Sequence, residues 1–115
     1  MTKNLCESRK KLLERNIESI VSTLKEKYKP EKIILFGSIV SGQISLTSDI
    51  DLLIIKKTNT GFYERLKEVI TLCDYDVGID FLVYTPEEFE EEAKSNLFFQ
   101  KEVLEKGKVI YDAAA

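Results

Sequence analysis

The amino-acid sequence predicts an α/β fold, with helices packed around a small sheet in one domain. Three observations carry the prediction. Short apolar runs of strand length alternate along the chain with longer segments whose apolar residues recur every three or four positions. At 115 residues the chain has the size of one domain, and a chain of that size buries roughly two-thirds of its unfolded surface, enough for a single core. Hydrophobic residues at 43% and charged residues at 32% are globular proportions, neither disordered nor fibrous.

The elements follow in order. From Glu7 to Tyr28, Leu13, Ile17, Ile20, Val21 and Leu24 form one stripe among Lys, Arg and Glu, which reads as an amphipathic helix stopped by Pro30. Lys32 to Phe36 is a buried strand ending at Gly37. Ser38 to Ser48, rich in Ser, Gly and Thr, reads as a loop with one helical turn. Ile50 to Ile55 is apolar on both faces except at its start, which places it in the centre of a sheet. After the break at Asn59-Thr60-Gly61, the residues Phe62, Leu66, Val69, Ile70 and Cys73 recur at helical spacing.

Gly78 to Tyr84 reads as a third strand, interrupted only by Asp80. Thr85-Pro86-Glu87-Glu88 is a helix start, with a hydroxyl N-cap, proline at the first helical position and glutamate three residues past the cap. Ser95-Asn96 breaks that helix. A second helix over Leu97 to Lys106 is closed by Gly107, and Lys108 to Tyr111 makes a last strand, with fraying expected from Asp112. The domain is expected over 1–115, with its N-terminal helix over about 7–28 and its core over about 31–111.

Composition excludes several chemistries. The chain has no histidine, which removes Ser-His-Asp and Cys-His catalysis and His-ligated zinc. Its two cysteines, Cys6 and Cys73, lack zinc spacing and read as reduced thiols. A net charge of -3 argues against wrapping a nucleic-acid backbone. With no apolar run of membrane-spanning length and no signal-peptide core over Met1 to Lys11, the expected location is the cytoplasm.

The sharpest functional signal is Asp49 and Asp51. In a strand, residues i and i+2 project from one face, so two such carboxylates can share a metal ion or bridge two. The plain alternative is that Asp49 caps a turn while Asp51 faces water. Asp80 favours the first reading, because it interrupts an apolar strand that, as a neighbour in the sheet, would add a third carboxylate. Three oxygen donors without His or Cys suit Mg²⁺, or Mn²⁺, rather than zinc. Asp74 and Asp76 fall in a connecting loop and are set aside. Gly37-Ser38 follows the first strand, where glycine permits close backbone approach and a helical turn offers N–H groups to phosphate. Alone, that dipeptide is a common turn.

Taken together, Phe36-Gly37-Ser38, ten intervening residues, Asp49-Ile50-Asp51 and the later Asp80 resemble the DNA polymerase β-type nucleotidyltransferase superfamily. The run GSIVSGQISLTSDIDLLI is similar to its minimal branch, the MNT-domain proteins paired with HEPN-domain partners, and the likeness extends from Ile33 to Tyr111. The resemblance implies a small mixed sheet flanked by helices, with Gly37 and Ser38 holding the triphosphate of ATP. It implies that Asp49 and Asp51 bind a pair of Mg²⁺ ions and that Asp80 completes the site as ligand or base. The implied reaction is transfer of AMP from ATP onto a tyrosine of a HEPN-domain partner, which would make this chain an antitoxin.

One position departs from the pattern. Family members often carry arginine just before the second glycine of the loop, where this chain has Ser41. A triphosphate and three carboxylates outweigh two divalent cations, so another cation is needed nearby, with Lys56, Lys57 and Arg65 as candidates or the partner as its source. The chain is short beside relatives with a separate substrate-binding domain, so the acceptor is expected on another polypeptide, and the aromatic pair Phe98-Phe99 is a candidate contact. Two other readings stand beside this one. A non-catalytic module would neutralise a partner by masking it. A glycosyltransferase would use DxD for a nucleotide-sugar, but it gives Gly37-Ser38 no role.

Overall fold

The structure, a computed structural model, describes residues 2–115, so the first residue of the domain expected over 1–115 lies outside the described residues. Helix α1 (Thr2–Thr23) runs into a π-helical turn (Leu24–Tyr28). It starts before Glu7 because nothing in the preceding residues breaks a helix, although the apolar stripe begins later. Lys29 ends it in the left-handed region at φ 56°, its N–H donating to Leu24 O at 2.7 Å, and buried Pro30 follows. Strand β1 (Lys32–Phe36), the four-residue helix α2 (Ser38–Ser41), β2 (Ile50–Ile55), α3 (Phe62–Leu72) and β3 (Ile79–Tyr84) come next.

The chain closes with α4 (Pro86–Ser95), the short α5 (Leu97–Phe99) with its π-helical continuation (Gln100–Glu105), and β4 (Lys108–Asp112). The predicted capping box forms: Thr85 Oγ1 accepts from Glu88 N–H at 3.2 Å and Glu88 Oε1 accepts from Thr85 N–H at 2.9 Å. At the chain end the expectation of fraying from Asp112 is corrected. Asp112 pairs with Lys32 across the sheet, their side chains lie 3.9 Å apart, and Ala113 N–H donates to Glu31 O.

The sheet order is β3-β2-β1-β4, with β1 antiparallel to both β2 and β4 and β2 parallel to β3. The two-faced apolar strand β2 is central, as its sequence requires. Alternation along the strands sorts side chains onto two faces. Ile33, Leu35, Ile50, Leu52, Ile54 and Val83 pack in one core with Leu13, Ile20 and Leu24 of the first helix and Val69 of α3. Ile34, Phe36, Leu53 and Ile55 pack on the other face with Phe99 and Val103. The aromatic pair divides accordingly, with Phe99 buried and Phe98 66% exposed. Both cysteines are free, and burial pushes the Cys73 thiol up to about 11, which keeps it unreactive. No helix among the described residues is long and apolar enough to cross a membrane.

Candidate active site

The site lies at the end of the sheet where β1 finishes and β2 and β3 begin. Asp51 pairs across β1 with Phe36 and across β3 with Asp80, so its strand position brings two carboxylates side by side. Side chains at directly paired positions share a face of the sheet, and adjacent strands are about 4.8 Å apart. Both project on the α4 and α5 face. One row further in, Leu53 is fully buried and Leu82 packs against that core, whereas Asp51 is half-buried and Asp80 exposed. The acids thus stand where the apolar cover ends.

The pair interacts strongly. Asp51 is pushed up to about 6, first by burial, then by the charge of Asp80 and a side-chain hydrogen bond with it, and last by the charge of Asp49. Burial and a like charge so near both disfavour the charged form of Asp51.

Two glycines make room for these acids. Gly37 adopts φ 87°, ψ −155°, a conformation open essentially to glycine alone, and a side chain there would collide with Asp51 Oδ2. Beyond the close approach to phosphate expected of it, this glycine has a steric role. Gly78 does the same for Asp49, since a Cβ at that position would lie 2.5 Å from Asp49 Oδ1. Gly78 O also accepts from Ile50 N–H at 3.0 Å, tying the two strand entrances together. Gly37 caps α2, and the first N–H groups of such a turn, beginning at Ser38, have no acceptor one turn back. These N–H groups lie at the same end of the sheet as the acids.

Two further residues that sequence reasoning missed fix the start of β2. Ser48 is buried, and its hydroxyl accepts from Ser45 N–H at 2.7 Å to close the preceding turn. Arg9, from α1, donates to Ser48 O through Nε at 3.1 Å and Nη2 at 2.7 Å, and its Nη2 lies 3.8 Å from Asp49 Oδ1. No spacing rule joins residues 39 positions apart, so only the fold reveals the contact. The set-aside Asp76 has a structural role. Its carboxylate accepts from buried Asn16 Nδ2 at 2.7 Å, and its N–H donates to Asn16 Oδ1 at 3.1 Å.

The cations proposed to compensate for Ser41 stand elsewhere. Lys56 Nζ donates to Tyr28 O at 2.8 Å, Lys57 N–H to Glu31, and Arg65 is buried against Val83, Thr60 and Glu88, all at the opposite end of β2 and β3. Ser41 itself donates to Ser38 O.

Among the described residues no three Asp, Glu, Cys or His side chains stand close enough to hold one ion as they are placed. Asp51 and Asp80 converge, while the carboxylate of Asp49 turns toward Gly78 and Arg9 and is 54% exposed. The donor set fits a hard cation: every donor is a carboxylate oxygen, and the Asp51–Asp80 repulsion is what a divalent ion would relieve.

The site is thus a parallel acid pair at the end of a mixed sheet, beside a glycine-led turn. The family model described as Polymerase beta, Nucleotidyltransferase matches residues 18–115, and the chain belongs to that family. A Methanocaldococcus jannaschii relative named "putative protein adenylyltransferase" is 38% identical over 105 residues, covering 85% of this chain and 97% of its own. The crystal structure of a "putative nucleotidyltransferase" from Sulfolobus solfataricus superposes with a TM-score of 0.58 at 19% identity, over 98% of this chain and 88% of the other, a likeness of fold.

Proposed function

We propose that this protein transfers AMP from ATP to a tyrosine hydroxyl on a HEPN-type protein and so acts as that toxin's antitoxin. The observation that supports it most is the in-register Asp51–Asp80 pair beside Gly37. Gly37 and Ser38 would hold the triphosphate. Asp49, Asp51 and Asp80 would hold one or two Mg²⁺ ions, which supply charge neutralisation at the attacking and leaving oxygens. Asp80, exposed on an edge strand, is open to an incoming hydroxyl and would take its proton as the oxygen attacks the α-phosphorus. A new P–O bond forms, the bond to the bridging oxygen breaks, and pyrophosphate leaves. The acceptor would come from the partner, with exposed Leu97 and Phe98 as an apolar contact for it.

The test is label transfer from ATP carrying a labelled α-phosphate, in lysate of the source organism, with Mg²⁺ or EDTA. The expected result is a Mg²⁺-dependent labelled protein absent with Asp51→Ala. Absence of label in a lysate that contains the bound partner would defeat the proposal. A second reading, a masking module without catalysis, is favoured by Ser41 and by the distance of Lys56 and Arg65 from the acids. Under it, Asp51→Ala leaves toxin neutralisation intact.

A further inference from the structure

We infer that Arg9 is a positioning residue for the metal-binding edge of the site, an inference that rests on the nucleotidyl-transfer reading above. Arg9 precedes the residues matched by the family model. Two donors of its planar guanidinium converge on one acceptor, the Ser48 carbonyl, at 3.1 and 2.7 Å, and the side chain is only 20% exposed. That carbonyl belongs to the peptide that leads into Asp49. Ser48 is held from its other side by the Ser45 turn, and Ile50 N–H, one residue past Asp49, donates to Gly78 O at 3.0 Å. The Ser48–Asp49 peptide is therefore fixed from three directions, by α1, by its own loop and by the β3 entrance.

The distances decide between two roles for the guanidinium. A counter-ion that parked Asp49 away from a metal would sit closest to the carboxylate. Here the close contact is to the main chain, and the carboxylate is the farther partner at 3.8 Å. Arg9 thus fixes where the Asp49 backbone stands while leaving its carboxylate, 54% exposed, free to turn toward Asp51. Groups that orient metal ligands commonly change affinity by about 10- to 100-fold when removed.

The experiment measures Mn²⁺ binding directly, by electron paramagnetic resonance titration without nucleotide, on the full chain. Wild type, Arg9→Ala, Arg9→Lys and Asn16→Ala are compared, each with its thermal melt. The expected result is Mn²⁺ affinity about tenfold weaker in Arg9→Ala, partly recovered in Arg9→Lys, and little changed in Asn16→Ala. Where Arg9→Ala does not melt cooperatively, Arg9→Lys is read in its place, with an intermediate loss expected. Unchanged or tighter binding in the Arg9 variants overturns the inference, as does an equal loss in Asn16→Ala, which would make Arg9 merely one of two struts for α1. A wild-type protein that binds no Mn²⁺ overturns the nucleotidyl-transfer reading, and the inference with it.

Discussion

At the far end of β2 and β3, the buried guanidinium of Arg65 donates to Val83 O at 3.2 Å, Thr60 O at 2.6 Å and Glu88 Oε1 at 2.7 Å. At the entrance of the same two strands, Asp51 and Asp80 face each other and neither has an ion-pair partner among the described residues. Their acids respond in opposite directions. Burial alone would raise Glu88, but hydrogen bonds from Thr85 N–H and Arg65 prevail and hold it below the usual carboxylate range. Asp51, with a like charge for a neighbour, is raised to about 6. One end of the sheet spends its polar contacts on stability, and the other keeps an electrostatic conflict that a ligand can resolve.

The contrast can be broken at the stable end first. Arg65→Ala removes a guanidinium that is 3% exposed together with its three hydrogen bonds, and it should cost about 3 kcal/mol in urea unfolding. A loss below about 1 kcal/mol would mean that this end is not an anchor. Next in size is Gly37→Ala, which forces a side chain into a glycine-only conformation and onto Asp51, at about 2 kcal/mol. Unlike Arg65→Ala, it should also lower Mn²⁺ affinity, read by titration on the folded variant. Thr85→Ala deletes the N-cap of α4 for about 1 kcal/mol and should leave Mn²⁺ binding untouched.

The smallest effect has the opposite sign. Asp51 has a folded value of about 6 against an ordinary value of 3.8, so between those values the folded state binds a proton that the unfolded state releases. Its contribution is therefore present at pH 4 and lost as pH rises through 6. Asp51→Asn should raise the melting temperature of the metal-free protein at pH 8 by a few degrees, and the gain should vanish by pH 4. No gain at pH 8 would remove the conflict from the site end.

The strands were legible because their apolar runs are short, β-branched and sharply bounded. Lys32 to Phe36 and Ile50 to Ile55 form as read, and the third strand begins one residue later than Gly78. The capping box at Thr85 was legible for the same local reason. Asp51 beside Asp80 was legible only conditionally, since strand adjacency is a property of the sheet. Arg9, Ser48 and Gly78 were not legible at all. A basic residue on an amphipathic helix, a serine in a serine-rich loop and a glycine before a strand carry no distinguishing local signal, and their meaning comes from contacts across the fold. The need for a nearby cation was read from charge, and its expected sources were misplaced because Lys56 and Arg65 cap the wrong end of the sheet.

The parallel pairing of β2 with β3 has a consequence for how the chain acquires its chemistry. β1 and β2 are antiparallel and joined by one loop, whereas β3 reaches β2 only by a crossover through α3. Such non-local contacts form late. A refolding chain should therefore complete Gly37 against Asp51 before Asp80 arrives, and gain its acid pair only with the crossover. Stopped-flow refolding would show cation affinity emerging only after the β1–β2 hairpin has formed, so that a form lacking β3 does not compete for the ion.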